Sequence, residues 1–182
     1  GAGKSSLLQL ITGVIMPTSG YIYVNDLSME SLHINNYRAQ LGLSLSTETP
    51  FEGTIRENIT FGNPNISDDA IYDVFAQIGL TEFLQQQPKG LNTILKPEGK
   101  QIAYTTAKKI VLARAIVKKP KVLILEDPLD QFKKAESKQI IDFLISENQT
   151  WSLVVISNND YWSSKCNKQV TLKKGEIINV KS

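Results

Sequence analysis

The sequence predicts an α/β fold whose core sheet is mainly parallel. Two apolar runs, Lys121–Leu125 and Trp151–Ile156, have the length and composition of strands buried on both faces of such a sheet. Segments with helical spacing of apolar residues precede and separate these strands, and this alternation is typical of parallel α/β folds. With 182 residues, of which 41% are hydrophobic, the chain can bury one substantial core.

The first elements are predicted from apolar spacing and turn residues. A helix over Ser5–Thr12 follows a glycine-rich start, and the strand Tyr21–Val24 follows a Pro-Thr-Ser-Gly turn. A short strand is expected over Leu41–Leu45.

Helices fill the middle of the chain. Ser67 is expected to cap a helix that has acidic residues in its first turn, and helical spacing continues to about Gln87. A further helix over Ala107–Val117 is stopped by Pro120.

The last third is predicted to end the fold with a helix and a hairpin. The helix covers Ala135–Glu147 and precedes the second apolar strand. The strands Val170–Leu172 and Ile177–Val180 flank a Lys-Lys-Gly-Glu turn and form a terminal hairpin.

The charge balance is too even to indicate a nucleic-acid or anionic-membrane surface. There are 20 basic and 18 acidic residues and the pI is about 8.6, which gives no basis for a nucleic-acid partner. The pairs Lys108-Lys109, Lys118-Lys119 and Lys173-Lys174 are interpreted as solvated faces. Cys166 is the single cysteine, which suits a reducing compartment, and His33 is interpreted as a solvated side chain without the partners of a metal site.

The first six residues match the end of the phosphate-binding pattern G-x-x-x-x-G-K-[ST]. Glycines let backbone N–H groups turn toward phosphate oxygens, and the helix that follows points its positive end at them. In this pattern Lys4 reaches the terminal phosphates of ATP and the Ser5 hydroxyl binds Mg²⁺. The candidate ATP-binding residues are therefore Gly1, Ala2, Gly3, Lys4, Ser5 and Ser6.

Beyond this loop the chain resembles the nucleotide-binding domain of ABC transporters over its whole length. The stretches that carry the resemblance, in the family's order, are Leu7–Gly20, Phe51–Ile59, Ile110–Pro120, Lys121–Asp127 and Lys173–Ile177. The resemblance implies the P-loop NTPase fold of ABC ATPases, with an inserted helical subdomain at about 64–108. Because the chain starts inside the phosphate loop without an initiator Met, we interpret residues 1–182 as a partial domain whose upstream strands and membrane domain are missing.

The segment Phe51–Ile59 narrows the class. It is close to the F-x-G-T-I-R-E-N-I sequence typical of exporters, where that neighbourhood contacts transmembrane helices. The resemblance implies a transmembrane domain on the same polypeptide and a location at the cytoplasmic face of a membrane, as part of an integral membrane transporter. It also implies a second ABC ATP-binding domain as partner, in a homodimer or a heterodimer.

The acidic pair after the apolar strand Lys121–Leu125 departs from the family's pattern. Glu126 and Asp127 stand where the family has Asp and then Glu. The resemblance implies that Glu126 contacts Mg²⁺ through a bound water. It leaves Asp127 as the general base, with a side chain one methylene shorter than the family's glutamate. Asn158 takes the place of the switch histidine; it can hydrogen-bond a phosphate but cannot carry a proton.

Two further family motifs are also altered. Ser46 falls at the place of the Q-loop glutamine and is too short to reach Mg²⁺ as a glutamine amide does. The signature motif, whose glycines approach a nucleotide held by the partner, falls on Ile102–Thr106, with Ala103, Tyr104 and Thr105 at its centre. The D-loop is not recognisable in Pro128–Phe132.

Three functions follow from this mixture of intact and altered motifs. The first is an ATP-binding and ATP-hydrolysing domain that powers an ABC-type exporter, with ATP and Mg²⁺ bound and with weak activity. The second is a degenerate ATP-binding module that gates closure of a dimer with little turnover. The third is a soluble ABC protein that acts on ribosomes or DNA.

Overall fold

The computed structural model describes residues 2–181, and their elements are as follows. The helices are α1 (Lys4–Ile11), α2 (Ile34–Ala39), α3 (Ile55–Thr60), α4 (Asp68–Ile78), α5 (Thr81–Gln85), α6 (Tyr104–Ile116), α7 (Lys134–Leu144) and α8 (Asp160–Lys165). The strands are β1 (Tyr23–Val24), β2 (Leu27–Ser28), β3 (Leu41–Ser44), β4 (Gly53–Thr54), β5 (Ile94–Leu95), β6 (Val122–Glu126), β7 (Ser152–Ile156), β8 (Gln169–Lys173) and β9 (Glu176–Lys181). Short 3-10 turns occur at Met29–Ser31, Gly90–Asn92 and Pro97–Gly99.

The chain divides into two compact units. The first combines residues 1–41 with residues 160–182, and the second is formed by residues 42–159. The first unit contains α1, α2 and α8 with two antiparallel strand pairs, β1 with β2 and β8 with β9. The predicted terminal hairpin is therefore confirmed.

In the first unit, α2 holds the end of α1. The Tyr37 hydroxyl donates to the carbonyl oxygen of Ile11 at 2.7 Å, and the Arg38 guanidinium donates to that of Gly13 at 2.5 Å. Gly13 has a φ of +69°, and a Cβ there would lie 2.5 Å from the Cδ1 of Ile34. The α1–α2 connection therefore favours glycine for its backbone angle, and a larger residue would also require the end of the Ile34 side chain to shift.

The second unit is built on a three-stranded sheet with the order β3-β6-β7. Strands β6 and β7 are parallel, and Glu126 is paired with Ile156 at their carboxyl ends. The centre of β6 is fully buried, as predicted, with Leu123, Ile124 and Leu125 each 0% exposed. Strand β7 is less buried than predicted, since Val154 is 36% exposed.

Helix α6 is buried along most of its length, and it corrects one interpretation of the sequence. Lys108 and Lys109 are not solvated, because they are only 6% and 7% exposed. The Lys109 ammonium has two partners inside the fold. Its Nζ donates to the carbonyl oxygen of Gly79 at 2.8 Å and forms an ion pair with Oε1 of Glu136 at 2.6 Å. The pairs Lys118-Lys119 and Lys173-Lys174 are exposed, as predicted.

Several local predictions can be compared with the structure directly. Ser67 caps α4, accepting a hydrogen bond from the Ala70 N–H at 3.2 Å, as predicted. His33 is exposed, as expected. Helix α6 begins at Tyr104, three residues before the predicted start, and α2, α3 and α8 were not predicted. Within residues 2–181, no helix combines the length and the apolar character needed to cross a bilayer.

Candidate functional site

The phosphate loop opens the first unit. Gly3 has a φ of +90° and precedes α1, so its left-handed backbone turns the chain into the helix. Lys4 is half-buried in the first turn, and Ser5 and Ser6 are exposed beside it. The carbonyl oxygen of Ala2 accepts a hydrogen bond from the N–H of Gly175, at 3.1 Å, in the turn between β8 and β9. Gly1, also predicted to bind ATP, lies outside the described residues.

In the second unit, two predicted site residues lie side by side at one end of the sheet. Ser46 follows β3, and Glu126 is the last residue of the adjacent strand β6. The Ser46 hydroxyl donates to Oε2 of Glu126 at 2.9 Å, and the Ser46 N–H donates to the same oxygen at 3.3 Å. Both contacts of Ser46 therefore hold the same oxygen of the Glu126 carboxylate.

The other two predicted catalytic residues follow the ends of β6 and β7. Asp127 comes directly after β6, has a φ of +41°, and donates its N–H to the carbonyl oxygen of Ile156 at 2.8 Å. Non-glycine residues in this left-handed region are uncommon and mark local strain. Asn158 lies two residues beyond the end of β7 and is exposed. The strand order therefore places Ser46, Glu126, Asp127 and Asn158 at the same end of the sheet, the end where β6 and β7 finish; this end is called the sheet edge below.

A residue missed by sequence reasoning, Lys108, is attached to this edge. Its Nζ donates to the carbonyl oxygens of Ser46 at 2.6 Å and Glu48 at 3.1 Å. Burial lowers the pKa of Lys108, and the carboxylates of Asp130, Glu48 and Glu126 act in the opposite direction. No sequence signal marked this role, because a lysine pair on a helix more often faces solvent.

The signature-motif position forms the N-terminus of α6. Ala103 precedes the helix in an extended conformation, and no side chain caps it. Tyr104 is 43% exposed, and its hydroxyl donates to Oδ1 of Asp130 at 3.2 Å. Burial, followed by the charge of Asp130, raises the pKa of the Tyr104 phenol. Tyr104 and Thr105 therefore place side chains at the predicted signature-motif position, where the resemblance leads us to expect glycines.

The segment Phe51–Ile59 is held together by a buried asparagine. Asn58 is 0% exposed; its Oδ1 accepts from the Phe51 N–H at 2.9 Å and its Nδ2 donates to the Phe51 carbonyl oxygen at 3.0 Å. Arg114 of α6 donates to the Asn58 carbonyl oxygen at 2.7 Å. The Arg114 guanidinium also lies 5.5 Å from the ring of Phe51 and 4.8 Å from that of Phe61.

A sequence model of the family described as ABC transporter matches residues 1–130 of this chain. The chain belongs to the ABC transporter family. The multidrug resistance-like ATP-binding protein MdlB of Buchnera aphidicola is 30% identical over 178 residues, which are 98% of this chain and 30% of that protein. The uncharacterized ABC transporter ATP-binding protein YfiB of Bacillus subtilis is 29% identical over 178 residues, 98% of this chain and 31% of that protein.

A solved structure supports the ABC fold independently. That of a bacterial Atm1-family ABC exporter with ATP bound has a TM-score of 0.92 to this chain at 19% identity. The match covers 100% of this chain and 32% of the exporter chain, and at this identity it shows the fold alone. The predicted α/β fold of an ABC ATPase is confirmed. The chain spans about a third of the length of these relatives.

The donors of the ABC chain fit Mg²⁺ in one particular way. Among residues 2–181, no group of three or more His, Cys, Asp or Glu side chains could hold a metal ion alone. Protein Mg²⁺ sites that accompany nucleotides use one or two carboxylates with phosphate oxygens and waters. The Ser5 hydroxyl in the first unit and the Glu126 carboxylate in the second are each a type of donor found in such sites.

Proposed function

We propose that this chain is the ATP-binding domain of an ABC-type exporter and that it hydrolyses ATP slowly. The observation that carries the proposal is the phosphate loop, in which left-handed Gly3 leads directly into α1 at Lys4. The motif has the structural context that its chemistry requires, a glycine-turned backbone followed by a helix of eight residues. Family membership supports the assignment of this loop to a nucleotide.

In this proposal each residue of the loop has a separate role in binding. The backbone of the loop and the first turn of α1, including Ser6, present N–H groups to phosphate oxygens. Lys4 places its ammonium against the terminal phosphates as a point charge. Ser5 and Glu126 are the residues proposed to hold Mg²⁺, which would supply positive charge to offset that of the phosphates.

Hydrolysis requires a water oxygen to bond to the γ-phosphorus while the bond to the departing ADP oxygen breaks, and the water proton must be accepted. Asp127 holds the position of the residue that orients this water and accepts its proton. Its side chain is one methylene shorter than glutamate and its backbone is in the left-handed region. Small misplacements in such a step have large effects on rate, so slow turnover is expected. Asn158 can donate to a phosphate oxygen but cannot exchange a proton.

The altered residues also favour a second function, in which ATP closes a dimer and turnover comes mainly from the partner. The proposed partner is a second ABC ATP-binding domain, whose nucleotide would face the N-terminus of α6 at Ala103, Tyr104 and Thr105. The tie between Tyr104 and Asp130 fills space that glycines leave open in this family. Whether this chain or its partner supplies most of the turnover is decided by the Asp127 experiment below.

The exporter part of the proposal rests on Phe51–Ile59. This segment is proposed to contact a transmembrane domain on the same polypeptide, which places the chain at the cytoplasmic face of a membrane. It also favours a transporter over a soluble protein that acts on ribosomes or DNA. A helical subdomain at about 64–108 is part of the same proposal.

The test uses the complete polypeptide that carries this chain. Lys4→Ala should weaken ATP binding by at least tenfold, whereas Lys174→Ala, at an exposed lysine, should leave the Kd unchanged. Unchanged ATP affinity in Lys4→Ala would refute the assignment of the site. Asp127→Asn should then lower the ATPase rate of the assembled transporter by tenfold or more. An unaltered rate would leave the gating module as the function of this chain.

A further inference from the structure

Lys108 is a buried charged residue whose ammonium is held by specific contacts. It is 6% exposed on a helix whose neighbouring residues are buried, and its ammonium is directed at a loop rather than at solvent. Two of its three N–H groups donate to the carbonyl oxygens of Ser46 and Glu48. The ammonium also lies 5.6 Å from the centre of the Tyr104 ring.

The loop that Lys108 holds is itself a closed turn. The Glu48 N–H donates to the Leu45 carbonyl oxygen at 3.1 Å, and Oε2 of Glu48 accepts from the Leu45 N–H at 2.9 Å. The carbonyl oxygens of Ser46 and Glu48 are bound by Lys108, and the turn is closed by its own hydrogen bonds. The segment 45–48 therefore has little freedom to shift. Its outward-facing donor is the Ser46 hydroxyl.

That hydroxyl reaches the acidic end of β6. The Ser46 Oγ and N–H both donate to Oε2 of Glu126, so the orientation of this carboxylate depends on the place of Ser46. The place of Ser46 depends in turn on Lys108, through the carbonyl group of the same residue. Two successive links, from Lys108 to Ser46 and from Ser46 to Glu126, therefore join α6 to the candidate Mg²⁺ ligand.

We propose that Lys108 is a positioning residue that, by holding Ser46, orients the carboxylate of Glu126 for nucleotide-bound Mg²⁺. This inference rests on the proposed function, because it assigns a supporting contact to the same site. Partners that orient a metal-binding carboxylate without touching the metal typically change affinity or activity by about 10- to 100-fold. The serine thereby keeps a role at a position where glutamine would reach the metal itself.

The neighbouring lysine provides a matched control. Lys109 is equally buried, on the same helix, but its ammonium donates to Gly79 and pairs with Glu136, away from the loop. Lys109→Met and Lys108→Met remove the same charge from the same helix. A merely structural effect of losing a buried ammonium should therefore be shared by both variants, whereas an effect on Mg²⁺ should be confined to Lys108.

The experiment measures ATP affinity of the complete polypeptide twice, with EDTA and with Mg²⁺, and defines the Mg²⁺ gain as the ratio of the two Kd values. Lys108→Met should reduce this gain about tenfold while the Kd in EDTA stays within about twofold. Lys108→Arg should retain most of the gain, because its guanidinium can donate to the same carbonyl oxygens. Lys109→Met should leave the gain unchanged even where it lowers thermal stability.

A second variant keeps the test decisive if Lys108→Met does not fold. Ser46→Ala removes the hydroxyl donor to Glu126 at an exposed position, leaves the longer contact from the backbone N–H, and should also reduce the Mg²⁺ gain. The two changes together should be no worse than either alone, since they interrupt one path. An unchanged gain in Ser46→Ala, or equal losses in the Lys108 and Lys109 variants, would overturn the inference. If the inference fails in this way but Lys4→Ala alone still loses ATP binding in EDTA, the proposed function stands and only the role of Lys108 is refuted.

Discussion

Replacing Asn58 by alanine should release the segment Phe51–Ile59 without disturbing the sheet. The Asn58 side chain makes four hydrogen bonds: Oδ1 accepts from the Phe51 N–H and from Arg114, and Nδ2 donates to the carbonyl oxygens of Phe51 and Thr54. Each is worth about 1 kcal/mol net, and the site is 0% exposed, so water cannot replace them without opening the structure. We expect a loss of about 3–4 kcal/mol for the local opening of this segment.

Amide hydrogen exchange in the complete protein measures that loss directly. Because about 1.4 kcal/mol corresponds to a factor of ten, the protection of amides in 51–61 should fall by roughly 100-fold or more. Amides of β6 should keep their protection, and Glu52→Ala, at an exposed neighbour, should change neither region. A fall of less than about threefold in the Asn58→Ala protein would show that the buried amide does not hold this segment.

Two further predictions concern the backbone and the pH dependence of the second unit. Gly42→Ala would place a Cβ 2.5 Å from the carbonyl oxygen of Ala115, so we expect a destabilisation of about 1–3 kcal/mol. This should appear as a lower temperature of thermal unfolding, which the exposed control Thr49→Ala should not change. Hydrogen bonds from the backbone and side chain of Thr54 lower the pKa of Glu57, so its capping of α3 is present above the ordinary pKa and is lost as pH falls through the lowered value. Amides of α3 should therefore lose protection from hydrogen exchange over that range. A Glu57→Ala protein that still shows the same pH response would contradict the assignment.

The fold could be predicted where a segment's structure depends on its own residues. The strand at Lys121–Leu125 is apolar throughout, and the cap at Ser67 is a local interaction between a hydroxyl and an N–H three residues away. Helix α3 was missed although Thr54 and Glu57 form a local capping box at its start, because it is only six residues long and its contact with Arg114 is distant in sequence. Short helices held by long-range contacts leave little periodic signal.

The candidate site shows the same division between local and distant contacts. The phosphate loop is contiguous, so its residues could be named from their spacing alone. Ser46 and Glu126 were named separately, but their direct hydrogen bond depends on β3 and β6 being neighbours in the sheet. The role of Lys108 was hidden for a different reason: the side chain of a lysine is long enough to be solvated or buried, and only its surroundings determine which.

Helix α6 explains how altered chemistry and an exporter-like surface coexist in one chain. Its N-terminus carries the changed signature position at Tyr104, while Arg114, ten residues later on the same helix, holds the segment Phe51–Ile59. Between them, Lys108 and Lys109 fasten two other parts of the unit to the helix. Because α6 is continuous and buried, its N-terminus and these attachments belong to one closely packed unit. The altered signature position and the segment Phe51–Ile59 are therefore held by different turns of the same helix, so a change at one need not remove the contacts of the other.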